Sequence, residues 1–81
     1  IIAYEPVWSI GTGVIPKSND LFDTIKFIKR KTKVKKILYG GSVNPKNINE
    51  LKSISNIDGF LVGGASQDSK KFIDIIRKTF N

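Results

Sequence analysis

Cysteine, histidine and methionine are all absent from this 81-residue chain, and each absence narrows what the chain can do. Without cysteine there are no disulfide frameworks, no cysteine-based zinc sites and no thiol nucleophiles. Without histidine, the commonest general base and metal ligand is missing. A chain without methionine cannot be a complete translation product that starts at its initiator. We therefore expect a segment of a longer protein.

The sequence also lacks an apolar run long enough to cross a membrane and a charged-then-apolar leader. These absences predict a cytoplasmic protein with no membrane partner. The net charge is +7, and much of the excess lies in one basic run, residues 29–36. Such a run is typical either of a nucleic-acid-binding surface or of a solvated helix end, where the helix dipole favours cations. Because no aromatic residue is interleaved with the run, we expect a helix end and no nucleic-acid partner.

Short apolar runs at residues 1–4, 37–39 and 60–62 indicate three strands buried on both faces. After each run, apolar residues recur at helical spacing, which predicts three helices. Their predicted N-caps are residues 18–20, Asn44, and Asp68 or Ser69, with Pro45 as the first residue of the second helix. The first helix is predicted to end near Lys31. The order β-α-β-α-β-α predicts a parallel α/β sheet. Because three strands leave open edges, we expect residues 1–81 to form a single partial domain.

Glycine-rich segments follow all three predicted strands, at residues 11–13, 40–41 and 63–64. The carboxyl ends of parallel strands share one face, so we expect these segments to converge. Glycine lets the backbone approach a ligand closely, and N–H groups in such turns bind anions. One pair of glycines alone is more typical of an ordinary turn. Three segments together favour a phosphate site.

Glu5 and the loop that follows it, residues 6–16, are the other candidates for chemistry. A carboxylate next to a buried strand is either ion-paired or functional. If functional, it would act as a base that removes a proton from a carbon beside a carbonyl. The loop has an apolar tip, then glycines, and a proline at each end. This composition is typical of a lid that excludes water, and a static connection with Trp8 packed between helices is the alternative.

Taken together, these segments resemble the triosephosphate isomerase family. Residues 3–13, Ala-Tyr-Glu-Pro-Val-Trp-Ser-Ile-Gly-Thr-Gly, resemble its signature around the catalytic glutamate and closing loop. Residues 39–44, Tyr-Gly-Gly-Ser-Val-Asn, resemble its seventh βα-loop, and residues 58–66 resemble its eighth strand and phosphate loop. The resemblance spans nearly the whole chain. It implies the C-terminal β-α-β-α-β-α portion of a TIM (β/α)8 barrel, with strands and helices six to eight.

The resemblance also implies a role for each motif. Glu5 would be the catalytic base that interconverts dihydroxyacetone phosphate and glyceraldehyde 3-phosphate through an enediol, in glycolysis and gluconeogenesis, without a metal or organic cofactor. Tyr39 and Ser42 would latch the lid through hydrogen bonds to its backbone. The implied phosphate-binding residues are Gly11, Ser42, Gly63 and Gly64, and the implied lid residues are Pro6, Val7, Trp8, Ser9, Ile10, Thr12 and Gly13.

The family's electrophilic histidine and substrate-binding lysine belong to its N-terminal two thirds. We therefore expect the isolated chain to be inactive, to need the N-terminal part of the same barrel, and to be part of a homodimer as the full-length enzyme. Another phosphate-binding barrel would share the glycine-rich loops but not the Glu-Pro-Val-Trp motif. A non-catalytic fragment that self-associates through its open sheet edges is a further alternative.

Two positions depart from the family's pattern. Residues 14–16, Val-Ile-Pro, replace the usual sequence at the lid's second hinge, and Pro16 is expected to stiffen that hinge. Lys29 stands where the family often has arginine. We expect it to pair with Asp58, although without the bidentate fork of a guanidinium group.

Overall fold

Strands and helices alternate along the chain in the order that the apolar pattern predicts. The computed structural model describes residues 1–80, and the three strands form one parallel sheet in the order β1-β2-β3. This confirms the predicted parallel α/β fold. The elements are β1 (Ile2–Tyr4), α1 (Ser18–Thr32), β2 (Ile37–Tyr39), α2 (Ile48–Lys52), β3 (Gly59–Phe60) and α3 (Ser69–Thr79), with short 3₁₀ helices at Val7–Ser9 and Gly64–Gln67.

The core lies between the sheet and the helices. Tyr4 is paired with Tyr39, and Tyr39 with Phe60, so these three side chains project from the same face of the sheet. Tyr39 is fully buried, whereas Tyr4 and Phe60 pack at the margin of the core. The buried core residues are Leu21, Ile25, Ile37, Tyr39, Val43, Ile48, Leu51, Ile54 and Ile75.

The opposite face of the sheet has no such cover among residues 1–80. Ala3 and Leu38 lie on it, in register with each other. Ile1 and Leu61, at alternate positions from Ala3 and Gly59, are 86% and 44% exposed. An uncovered apolar sheet face is expected where further strands and side chains of a barrel would complete the interior.

The N-terminus of α1 differs from the prediction. Residues 18–20 were the expected cap, but they lie in the first turn, and Lys17 holds the N-cap position without a side-chain hydrogen bond. The N–H of Leu21 donates to the Lys17 carbonyl at 2.9 Å, and this register buries Leu21 and Ile25 against the sheet. The burial of apolar side chains, and not a side-chain cap, therefore determines where this helix begins. The helix ends at Thr32, one residue past the predicted Lys31.

The start of α2 also differs from the prediction. The helix begins at Ile48, so Pro45 is not its first residue. The Asn44 side-chain oxygen accepts from the N–H groups of Lys46 (2.8 Å) and Asn47 (3.0 Å), and the Asn47 oxygen accepts in return from the Asn44 N–H at 2.9 Å. These reciprocal bonds close a tight turn before the helix.

The third strand is displaced from its prediction, whereas the third helix begins at its predicted cap. β3 covers Gly59–Phe60, which overlaps residues 60–62 by a single residue. The Leu61 N–H still donates to the Tyr39 carbonyl at 2.9 Å. Asp68 caps α3 as predicted, because its carboxylate accepts from the N–H groups of Lys70 and Lys71 at 3.0 and 3.2 Å.

An ion pair ties the end of α1 to the sheet, at the end of the strands opposite the glycine-rich loops. The Lys29 ammonium lies 2.9 Å from the Asp58 carboxylate, which confirms the predicted pair. The same carboxylate oxygen accepts from the Ile37 N–H at 2.9 Å. The backbone hydrogen bond from Ile37, and then the bond to Lys29, lower the pKa of Asp58 below its usual value.

We expect the unfolding free energy of Asp58→Asn to fall less on acidification than that of the parent. A carboxyl whose pKa is lowered on folding stabilises the protein above its unfolded pKa of 3.8, and this contribution disappears as the pH falls through the folded value. The asparagine variant should be less stable than the parent at neutral pH, and the two stabilities should converge as the solution is acidified. Urea unfolding at a series of pH values measures this. Asp23→Asn, at an exposed position on α1, is the control, and parallel pH curves for parent and Asp58→Asn would contradict the assignment.

Candidate active site

A cleft of about 790 Å³ opens at the carboxyl ends of the three strands. Its lining includes Glu5 from the end of β1, Ser42 from the loop after β2, and Gly63 and Gly64 from the loop after β3. Gly11, in the lid, lines it as well. The predicted convergence of these segments is therefore confirmed, and one cleft contains the predicted base with all four predicted phosphate-binding residues.

Glu5 stands directly beside the first glycine of the loop after β2. The Gly40 N–H donates to the Tyr4 carbonyl at 2.9 Å, which continues the sheet ladder to the edge of the cleft. A Cβ atom on Gly40 would lie 2.7 Å from the Glu5 Cγ and 3.2 Å from its Oε1. Glycine at this position therefore makes room for the glutamate. No lysine or arginine within residues 1–80 forms an ion pair with the Glu5 carboxylate, so the ion-paired alternative finds no support.

Three of the predicted phosphate-binding residues present unused backbone donors. Among the described residues, the N–H groups of Gly11, Gly63 and Gly64 donate to no protein acceptor. A Cβ atom on any of the three would meet nothing within 4 Å, so each faces open space. Gly11 has φ +71°, a conformation that favours glycine. These donors are free to bind an anion in the cleft.

Ser42 differs from the three glycines. Its N–H donates to the Ser9 Oγ at 3.1 Å, and the residue is only 7% exposed. The predicted use of this N–H for phosphate therefore requires the hydrogen bond with Ser9 to be exchanged.

The tip of the lid is exposed and apolar. Val7, Trp8 and Ile10 are 82%, 57% and 51% exposed. The alternative in which Trp8 packs between helices is therefore wrong for this structure. Hydrogen bonds inside the lid fix its shape, since the Ser9 N–H donates to the Pro6 carbonyl at 2.9 Å. Three exposed apolar side chains on one short segment provide a surface that can cover a ligand.

The latch between the lid and the loop after β2 is present, with one change of partner. The Ser42 Oγ accepts from the Gly13 N–H at 2.9 Å and donates to the Ser9 carbonyl, both of which are lid backbone groups as predicted. Tyr39 was expected to bond the lid backbone as well, and this is wrong. Its hydroxyl bonds the Ser9 Oγ at 2.8 Å. Pro16, at the second hinge, has no backbone N–H and so cannot donate a hydrogen bond to the Tyr39 hydroxyl.

Ser9 is the residue whose role the sequence analysis missed. It is fully buried, and its Oγ donates to the Val14 carbonyl at 2.6 Å. Because a hydroxyl has one proton, the Tyr39 hydroxyl must donate to Ser9 and not the reverse. Burial raises the pKa of Tyr39, which keeps this donor protonated, while the bond to Ser9 opposes the shift. The available signal was a lone serine between apolar residues of the lid.

Two lysines that were not singled out in the sequence also line the cleft. Lys46 lies in the loop between β2 and α2, and Lys71 lies in the first turn of α3. Both are exposed, and neither forms an ion pair within residues 1–80. They add positive charge to the lining of the cleft that also includes Gly63 and Gly64.

Residues 1–80 hold neither a metal-binding cluster nor a membrane-spanning helix. The acidic side chains do not gather in a group of three or more that could hold a metal ion. None of the helices in this part of the chain has the length and apolar character needed to cross a membrane.

The fold and the cleft define a parallel α/β segment with a glycine-lined site at the carboxyl ends of its strands. The family model for triosephosphate isomerase matches residues 1–79. The triosephosphate isomerase of Mycoplasma mobile is 53% identical over 78 residues, which cover 95% of this chain and 32% of that protein. That of Wolbachia pipientis wMel is 48% identical over 77 residues, with the same coverage of 95% and 32%. The chain belongs to the triosephosphate isomerase family, and it spans about a third of the length of these curated relatives.

We expect Gly41→Ala to disrupt the latch. A Cβ atom at this position would lie 2.5 Å from the Ser9 Oγ and 2.6 Å from the Tyr39 Cζ. Because both neighbours are buried and hydrogen-bonded, the variant should lose about 1–3 kcal/mol of unfolding free energy. Denaturant unfolding measures this, with Gly63→Ala as the matched control because its Cβ would enter open space. Equal stabilities of the two alanine variants would contradict the close packing around Ser9.

Proposed function

We propose that this chain is the C-terminal third of a triosephosphate isomerase, with strands and helices six to eight of the barrel. The full-length enzyme would interconvert dihydroxyacetone phosphate and glyceraldehyde 3-phosphate in cytoplasmic glycolysis and gluconeogenesis. One observation carries this proposal. A single cleft unites an unpaired carboxylate, Glu5, with the free N–H groups of Gly11, Gly63 and Gly64.

Glu5 would act as the base. Its backbone directly follows β1, and Gly40 leaves space for its side chain. It would take a proton from the carbon that carries the hydroxyl and return it to the neighbouring carbonyl carbon through an enediol. One proton moves between the adjacent carbons, and a second moves from the hydroxyl oxygen to the carbonyl oxygen by way of groups outside this chain, so that carbonyl and hydroxyl exchange places. No electrons leave the substrate, so the reaction balances without a redox cofactor.

The substrate phosphate would bind at the opposite side of the cleft from the base. The N–H groups of Gly11, Gly63 and Gly64 supply donors that cost no rearrangement of the sheet. Hydrogen bonds from backbone N–H groups to an anion are stronger than those between neutral groups. Lys46 and Lys71 add a favourable field for a dianion at the same rim. Binding at the phosphate would fix the distance between the reacting carbons and Glu5.

The lid would cover the bound substrate. Its apolar tip, with Val7, Trp8 and Ile10, would exclude water and so protect the reactive enediol. The latch formed by Ser42 with Gly13 and Ser9 provides the contacts that hold a closed lid.

The remaining catalytic groups would come from outside this chain. An enediolate needs a positioned donor at its oxygens, and such electrostatic stabilisation is usually the largest catalytic contribution. The chain has no histidine to supply it. The exposed sheet face around Ile1 and Leu61 is where the rest of the barrel would pack. The isolated chain would therefore be inactive, and the full-length enzyme would act as a homodimer.

The same exposed face supports a second candidate for the isolated chain. Open strand edges and exposed apolar residues favour self-association into a non-catalytic oligomer. Light scattering of the isolated chain distinguishes the two, because a stable oligomer at low concentration supports the second candidate.

The function can be tested in a chimera, in which this chain replaces the matching segment of the Mycoplasma mobile isomerase. We expect the chimera to interconvert the two triose phosphates. Glu5→Gln should lower its kcat by about 10²–10⁴-fold while KM changes little, because only the base is removed. Glu50→Gln, at an exposed position on α2, should keep the parent kcat. A Glu5→Gln chimera that retained the parent kcat would show that the base lies elsewhere.

A further inference from the structure

The backbone N–H of Ser42 already has an acceptor within the protein. Its N–H donates to the Ser9 Oγ at 3.1 Å, although the proposed function assigns this N–H to the substrate phosphate. The N–H groups of Gly11, Gly63 and Gly64 have no such protein partner among residues 1–80. Of the four N–H groups proposed to bind phosphate, that of Ser42 therefore differs from the other three in having a protein acceptor.

The surroundings of the Ser9 hydroxyl fix it as an acceptor at this position. Its proton is directed to the Val14 carbonyl, 2.6 Å away, and the Tyr39 hydroxyl donates to it at 2.8 Å. The oxygen therefore turns its remaining lone pair to the Ser42 N–H. Gly41 leaves the space that this arrangement needs. Toward the Ser42 N–H, the Ser9 Oγ is therefore a hydrogen-bond acceptor, as a phosphate oxygen would be.

We infer that Ser9 is a positioning residue whose hydroxyl stands in for a phosphate oxygen at the Ser42 N–H until substrate arrives. This inference rests on the proposed function. The exchange gives the Ser42 N–H a charge-assisted bond in place of a neutral one, and it requires the Ser9 Oγ to move away from that N–H.

The consequence is a competition between Ser9 and phosphate. Ser9→Ala removes the competing oxygen, so the chimera variant should bind inorganic phosphate more tightly than its parent. The net free energy of a hydrogen bond between neutral groups is large enough to change the affinity for phosphate by about two- to tenfold. The inhibition constant of inorganic phosphate against isomerase activity measures this. An unchanged or weaker affinity would overturn the inference.

Tyr39→Phe separates competition from simple loosening of the lid. It removes the other buried bond to Ser9 but leaves the Ser9 Oγ next to the Ser42 N–H. Its inhibition constant should fall less than that of Ser9→Ala, because the competing oxygen is still present. If Tyr39→Phe tightened phosphate binding as much as Ser9→Ala, the cause would be a loosened lid, and the inference would fail. Ser53→Ala, whose hydroxyl bonds only the Glu50 carbonyl, controls for a general effect of losing a serine hydroxyl.

A measurement on the unsubstituted chimera makes the test independent of how the variants fold. Titration with inorganic phosphate, followed by amide NMR, should shift the Ser42 resonance together with those of Gly63 and Gly64. Shifts at the two glycines without one at Ser42 would overturn the inference while leaving the proposed function intact. A chimera with neither isomerase activity nor phosphate-dependent shifts would instead overturn the proposed function itself.

Discussion

The parallel pairing of β1 with β2 is the constraint on which the rest of the site depends. Tyr4 and Tyr39 are in register, and the ladder extends one step further, from the Gly40 N–H to the Tyr4 carbonyl at 2.9 Å. This last bond places Glu5 beside a residue without a side chain. Because β3 pairs with β2 in the same direction, its loop reaches the same cleft. Glu5 and the N–H groups proposed to bind phosphate are therefore brought together by backbone hydrogen bonds.

The same register determines how the lid is held. Tyr39 projects into the core between sheet and helices, and its hydroxyl needs a partner because it is buried. Ser9 is that partner, and it connects Tyr39 to Val14 and to the loop after β2. A core residue, a lid residue and a loop residue thus share one hydrogen-bonded network. Lid position and the availability of the Ser42 N–H are consequently linked through a single hydroxyl.

The sequence predicts the features that depend on periodicity and on backbone chemistry. Alternating strands and helices, the convergence of the glycine segments on Glu5, and the Asp68 cap all follow from such signals. The sequence does not predict features that depend on which of several competing contacts forms in the folded chain. The cap of α1 gives way to burial of Leu21 and Ile25, and paired asparagines delay the start of α2. The partner of Tyr39 was wrong for a related reason, because which lid atom lies within reach depends on the folded path of the lid.

The most direct test of the central claim uses the separated parts of the barrel. Isomerase turnover is measured for this chain alone, and then after it is mixed with the part of the Mycoplasma mobile relative that the chain does not match. The account predicts no turnover from the chain alone and turnover after mixing, because Glu5 and the phosphate donors lie on one part and the electrophile on the other. Turnover by the chain alone would contradict the account, since the chain would then supply its own electrophile.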